Sequence, residues 1–286
     1  MISDITLGQY FPGFSPLHKL DPRTKILLSV FFIVAIFLVN NPLGFLFVTL
    51  ITLSWVAVSR ISFRVVLRGI KPIIFILIFT SLINLFMTVG EGEPLVKFWV
   101  FKIYKDGIIR AVFMSLRVIV LIVGTSMLLT YTTSPISLTD GIESLLKPLK
   151  RIGVPVHVFA MMMTIALRFI PTLVEETEKI MNAQKSRGAD FSSGGLIKRA
   201  KALIPILVPL FVSSFKRAEE LATAMECRCY RGDVNRTKYV ELKYKSRDYL
   251  WLLFALISFG LVILARTLPY KLELGGLIYQ ILFYRI

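Results

Sequence analysis

Long apolar runs separated by short polar interruptions make up most of this chain. Residues 26–39 and 43–58 are two such runs, divided by Asn40-Asn41-Pro42, a turn signal that predicts a helical hairpin. Each is slightly short against the ~20 residues that a membrane span usually needs. Lys25 and Arg60 at their outer ends can lengthen the pair by snorkelling. A third run covers residues 73–89 and stops at Gly90-Glu91-Gly92-Glu93-Pro94. A fourth extends over residues 108–129 and a fifth over 249–265. The pattern predicts an all-α polytopic membrane protein with about five transmembrane helices. Residues 274–284 are too few to span and read as an interfacial helix.

The stretch between Tyr131 and Arg247 is different: long, charged, helical in periodicity, and interrupted by Pro135, Pro148, Pro155, Pro171, Pro205 and Pro209. Within it, residues 202–215 are apolar but shorter than a span and hold two prolines, which predicts a buried or interfacial helix. The expected organisation is a membrane domain over 1–130 with four spans, a cytoplasmic domain of amphipathic helices over 131–247, and a last span and tail over 248–286. Lys19, Arg23 and Lys25 precede the first span, and Arg60, Arg64, Arg68 and Lys71 fill the second connection without an acid. By the positive-inside rule the N-terminus is cytoplasmic. Five spans then leave the C-terminus outside, and a crossing by residues 202–215 would invert that side.

Composition agrees with a lipid setting. Hydrophobic residues are 55%, charged residues 18%, and mean hydropathy is +0.71, against roughly 45–50% and 25% in soluble chains. This excludes a disordered chain, a disulfide scaffold and an ordinary soluble enzyme. The 34 basic and 18 acidic residues give a charge of +16, but the cations are spread over many loops and interleaved with acids. That is topology, and not the continuous stripe of a nucleic-acid binder. The opening residues, with Asp4, Gly8 and Pro12, lack a basic-then-apolar pattern, so no cleaved targeting segment is expected.

Two amphipathic rods stand out. Residues 171–187 read as one helix with Pro171 at its first position, Glu175, Glu176 and Glu178 in its early turns, Lys185 and Arg187 in its last, and Gly188 as cap. Leu173, Thr177, Ile180, Met181 and Gln184 form its less polar face. In the second rod Phe211, Phe215, Ala218, Ala222 and Met225 recur at helical spacing. The two ends are alike: Ala183-Gln184-Lys185-Ser186-Arg187-Gly188 and Ala224-Met225-Glu226-Cys227-Arg228-Cys229. A guanidinium fork can hold a carboxylate or backbone carbonyls in a fixed direction. The same spacing equally fits arginines that cap helix ends in water. Pro171, Pro205 and Pro209 are candidate flex points.

Other chemistry is sparse. No G-x-x-x-x-G-K-[ST] loop occurs. His18 and His157 are isolated, which predicts surface or interface histidines and no metal site. Cys227 and Cys229 read as free thiols. Arg117 lies inside the fourth run, where a charge implies pairing or function, whereas Arg110 reads as interfacial. Met161-Met162-Met163 suits either a core or a surface that repacks against partners. A membrane-embedded lipid or prenyl transferase is the alternative, but Glu175-Glu176 and Glu219-Glu220 lie on charged rod faces without a magnesium-binding cluster.

Three stretches resemble one known family: Leu17-His18-Lys19-Leu20-Asp21-Pro22-Arg23-Thr24-Lys25, Leu167-Arg168-Phe169-Ile170-Pro171 leading to Ser186-Arg187-Gly188, and Phe215-Lys216-Arg217-Ala218-Glu219-Glu220 leading to Cys227-Arg228-Cys229. In this order they are similar to the transmembrane coupling (T) component of energy-coupling factor transporters, ATP-driven prokaryotic importers of vitamins and some metal ions. The resemblance implies a non-catalytic, multi-pass subunit of the cell membrane, with no cofactor of its own, since ATP and magnesium belong to partner subunits. It implies that Arg187 and Arg228 dock into two ATP-binding-cassette ATPase subunits, and that a separate membrane-embedded substrate-binding (S) component carries the cargo. Family ends read Ala-Arg-Gly. Here Ser186 replaces the first alanine, and Cys227 and Cys229 replace the second alanine and glycine. Loss of that glycine predicts that the second end terminates at Gly232 instead of a left-handed Cys229.

Overall fold

A computed structural model describes residues 10–39, 41–88, 96–98, 101–189, 191, 195–232 and 241–267. The helices are α1 (Pro22–Leu38), α2 (Pro42–Ser59), α3 (Phe63–Ile70), α4 (Ile74–Met87), α5 (Lys105–Thr125), α6 (Pro135–Leu146), α7 (Val156–Ser186), α8 (Leu196–Cys227) and α9 (Ser246–Thr267). One antiparallel pair of three-residue strands, β1 (Val96–Phe98) and β2 (Phe101–Ile103), sets Val96 opposite Ile103. The interfacial helix expected over residues 274–284 lies outside the described residues.

Four described helices are long and apolar enough to cross a membrane: Phe63–Met87, Gly107–Thr130, Val156–Ser186 and Ser246–Leu264. The first joins α3 to α4 through a 3-10 turn, Lys71–Ile73. Three of the four overlap the expected third, fourth and fifth spans. The first two expected spans are the shorter helices α1 and α2, of 17 and 18 residues. Val156–Ser186 is an addition: the methionine-rich segment and the first rod are one helix, with Pro171 in its interior. Pro171 was expected at a helix start. One missing N–H is tolerated because the ladder on either side is long enough to hold the helix.

Contacts divide the chain into two units, one built from Tyr10–Ser134 with the segment from Leu242 onward, the other containing Pro135–Glu241. In the first, Leu28, Phe32 and Ile36 make a four-residue stripe along α1, buried with Val48 and Trp55 of α2, Val120 of α5 and Val262 of α9. The rings of Phe32 and Trp55 stand 5.1 Å apart. Gly124 permits this closeness, since a Cβ there would collide with the Phe32 ring. Large apolar residues such as Phe37, Phe75 and Phe79 point outward, which suits lipid as the surrounding solvent. Arg117 has a structural partner: its Nη2 donates to the carbonyl of Val39 at 2.7 Å, covering an orphan acceptor where α1 ends.

In the second unit, α6 and α7 are joined by a 3.0 Å contact between Glu143 Oε1 and His157 Nδ1. Helices α7 and α8 run antiparallel, because Glu176 meets Arg217 and, earlier in α7, Met161 meets Tyr230, later in α8. Three rod expectations change. Glu175, Glu176 and Glu178 sit mid-helix, too far from the N-terminus of α7 to serve its dipole. Residues 202–215 are not a separate buried helix; they are the first half of α8, where only Ile206 is buried. The buried or half-buried seam of α8 comprises Ile206, Leu210, Arg217, Leu221 and Met225, while Phe211, Phe215, Ala218 and Ala222 face outward. Hydrophobicity alone selected the wrong face because α7 offers α8 a carboxylate at the crossing.

Candidate functional site

The two rod ends are built alike. Arg187 terminates α7 at φ −88° and ψ 7°, and Arg228 terminates α8 at φ −90° and ψ 12°. At the first end Gly188 N donates to Lys185 O at 2.9 Å and Ala189 N to Gln184 O at 3.0 Å. At the second, Cys229 N donates to Glu226 O at 2.8 Å and Tyr230 N to Met225 O at 3.0 Å. Each pair of bonds is a Schellman closure, which reverses the chain and satisfies the last carbonyls. It requires a left-handed residue, and both ends supply one: Gly188 at φ +85° and Cys229 at φ +57°. The expectation that the second end moves to Gly232 therefore fails. Two backbone hydrogen bonds hold Cys229 in a conformation that costs an L-residue about 1–2 kcal/mol.

Both arginines are exposed, as are Ser186, Gly188, Cys227 and Cys229 around them. Ala183 and Ala224 are exposed at matching positions one turn earlier. The two cysteines are free thiols. Ser186 Oγ turns back to Asn182 O at 3.1 Å, leaving the guanidinium as the projecting polar group.

A further feature relates the ends. Glu176 Oε2 accepts from Arg217 Nη2 at 2.8 Å, across 41 positions of sequence. Arg187 and Arg228 are also 41 positions apart, so each end lies eleven residues beyond the ion pair on its own helix. Equivalent positions touching each other place a local two-fold relation at the crossing. The ends lie at opposite extremes of the antiparallel pair. Tyr230, just past Arg228, donates to Met161 Sδ at 3.1 Å, and from Met161 to Arg187 is roughly 35–40 Å along α7 at about 1.5 Å per residue. The sequence displayed the two ends, but the ion pair between them is a tertiary contact that neither rod reveals alone.

Asp21, Pro22 and Arg23 sit elsewhere, at the start of α1 in the other unit. Asp21 caps α1 by accepting from Arg23 N at 2.9 Å, and Pro22 occupies the first turn. Arg23 grips the same carboxylate with Nε at 3.0 Å and Nη2 at 2.9 Å, and its guanidinium stacks 3.9 Å from the Tyr244 ring centre. The hydrogen bond to Asp21 raises the already high pKa of Arg23. Buried Asp248 accepts from Asp21 N and Lys245 N, both at 2.8 Å, tying α9 to α1. Lys25 is 2% exposed and donates to Thr132 O at 2.7 Å, Thr133 Oγ1 at 3.2 Å and His18 O at 3.4 Å. His18 is half-buried between Ser15 Oγ and Phe11 O. This stretch is a polar knot that pins the segment before α1, the end of α5 and the start of α9. Asp248 and Tyr244 escaped sequence reasoning because their partners lie more than two hundred residues away. Among the described residues, no three His, Cys, Asp or Glu converge as a metal site.

The family model for CbiQ, described as a cobalt transport protein, matches residues 13–239, which include the knot's α1 side and both rod ends. The energy-coupling factor transporter transmembrane protein EcfT of Clostridium kluyveri is 56% identical over 93% of this chain and 98% of its own length. The chain belongs to the EcfT family. EcfT of Bacillus subtilis is 49% identical over 87% of this chain and 93% of its own, and EcfT of Lactococcus lactis subsp. cremoris 47% over 92% and 98%. As an EcfT-family protein the chain is a multi-pass, non-catalytic transmembrane component of an energy-coupling factor transporter.

Proposed function

We propose that the two arginine-capped ends dock one on each subunit of an ATP-binding-cassette ATPase pair. The rods then carry ATPase movement to a membrane-embedded S component that holds the cargo, a vitamin or a metal ion such as the cobalt of the family's description. The observation that carries this reading is the matched pair of Schellman-closed ends, each presenting an exposed arginine eleven residues from the Glu176–Arg217 ion pair. Two equivalent partner sites call for two equivalent ends, and a guanidinium on a rigid backbone turn holds its direction. The outward Phe211 and Phe215, stacked 6.4 Å apart on α8, supply apolar surface for the S component. Pro171, Pro205 and Pro209 each remove a ladder bond, so bending concentrates there when force arrives. The positive-inside pattern supports a cytoplasmic N-terminus, on the same side as the ATPases.

The test co-expresses the chain with an ATPase pair and an S component and compares Arg187→Glu, Arg228→Glu and the double variant. Co-purification, ATP hydrolysis and uptake into liposomes are read together. Each single variant is expected to weaken ATPase capture, and the double variant to abolish it along with uptake. A double variant that assembles and transports like the wild type would refute docking through these ends.

A further inference from the structure

The connection between α2 and α4 contains a surface that topology alone does not explain. No Asp or Glu occurs between Asp21 and Glu91, so Arg60, Arg64, Arg68 and Lys71 have no acid nearby in sequence, and all four are exposed. Arg64, Arg68 and Lys71 fall at i, i+4 and i+7, on one side of α3 and the turn that continues it. Phe63 and Leu67, 62% and 49% exposed, form an adjoining apolar side. The third side faces protein: Val66 is buried with Met127 and Tyr131, and Gly69 lies against the Tyr131 hydroxyl with no room for a Cβ. Buried Val66 and the Gly69 contact thus hold α3 at a fixed rotation, its cations and its exposed apolar residues side by side.

Depth follows from length. Phe63–Met87 has 25 residues, roughly 37 Å at about 1.5 Å per residue, against a hydrocarbon core of about 30 Å. With α4 spanning, α3 lies at the level of the headgroups. There an apolar side enters the acyl boundary while adjacent cations meet phosphates.

We infer that Arg64, Arg68 and Lys71 of α3 form a binding site for the headgroup phosphates of anionic phospholipid, with Arg60 at its edge. The site orders a patch of anionic lipid against the membrane unit, and it is independent of the docking proposed for the rod ends. The chemistry is charge pairing of guanidinium and ammonium groups with phosphate oxygens.

The test uses the full chain in neutral detergent, offered equal phosphatidylglycerol and phosphatidylcholine, with retained lipids counted by native mass spectrometry. Wild type is expected to retain phosphatidylglycerol preferentially. Neutralising each cation should cost roughly fivefold in retention, so Arg64→Gln/Arg68→Gln/Lys71→Gln should lose on the order of a hundredfold. Lys147→Gln/Lys150→Gln/Arg151→Gln removes equal charge from another exposed segment and should leave the preference intact. Equal loss in both triple variants would show bulk charge alone and overturn the site, as would no loss in either. Displacement by inorganic phosphate at the same concentration would show a free-anion site and also overturn it. If the triple variant fails to fold, Arg68→Gln against Arg68→Lys decides: only the lysine should keep the preference. Co-purification of ATPase is not part of this readout, so failure of the docking reading leaves the result interpretable.

Discussion

Introducing a methyl group at Gly69 should change sign in its effect depending on one distant oxygen. In the interior of a helix, Gly→Ala ordinarily stabilises by about 0.5–1 kcal/mol. Here the new Cβ would overlap the phenolic oxygen of Tyr131, whose Cζ stands 3.6 Å away at ordinary contact distance. Tyr131 is 3% exposed and packed with Val66 and Met127, so its ring cannot step aside freely. Overpacking of this kind costs about 1–3 kcal/mol, which outweighs the helix gain. Gly69→Ala is therefore expected to destabilise by about 0.5–2 kcal/mol. In a Tyr131→Phe background the offending oxygen is gone, and the same substitution should stabilise by about 0.5–1 kcal/mol. Thermal unfolding of the four proteins in micelles resolves this, since 1 kcal/mol moves the midpoint by about 2 °C in a chain of this size. The coupling between the two sites should reach about 1.5–3 kcal/mol. An alanine that stabilises in both backgrounds, or acts identically in both, would refute the close approach of α3 to Tyr131.

Three more outcomes test other parts of the molecule. Lys25→Met keeps the volume but removes three donor contacts, to Thr132, Thr133 and His18; stability should fall by about 2–4 kcal/mol after allowing for the apolar gain. Faster amide exchange confined to the end of α5 would accompany it, and unchanged exchange there would count against the knot. Asp248→Ala leaves the Asp21 and Lys245 N–H groups without acceptors, for a loss of about 2–4 kcal/mol, whereas Asp248→Asn should lose about half as much because one oxygen remains; equal losses would argue against two separate bonds. Cys229→Gly relieves the left-handed backbone at φ +57° and should raise stability by about 1 kcal/mol in a thermal melt, with a decrease showing that the thiol itself is needed.

What the sequence made legible depended on range. Apolar runs announced α4, α5 and α9 because each is long enough to show its own pattern, and Asp21-Pro22 announced a helix start that α1 indeed uses. Proline misled: at Pro171 it resembled a first helical position, yet α7 had begun at Val156. A local rule cannot weigh fifteen residues of upstream helix. The seam of α8 was hidden for a related reason, because Arg217 turns inward only when Glu176 is there to receive it. The arginine ends themselves were visible as near-repeats. Their equivalence about the Glu176–Arg217 contact needed coordinates.

The Cys229 turn bears on how such helix ends diverge. Gly188 and Cys229 share almost no side-chain chemistry, yet the two backbones close with the same pair of hydrogen bonds and leave an arginine in the same pose. What is being preserved is a shape of the main chain, and the letters that spell it are free to drift while those bonds can absorb the cost. Cataloguing relatives by tripeptide would pass over the second end of this chain; sorting them by the torsion angles of the residue after the arginine would not.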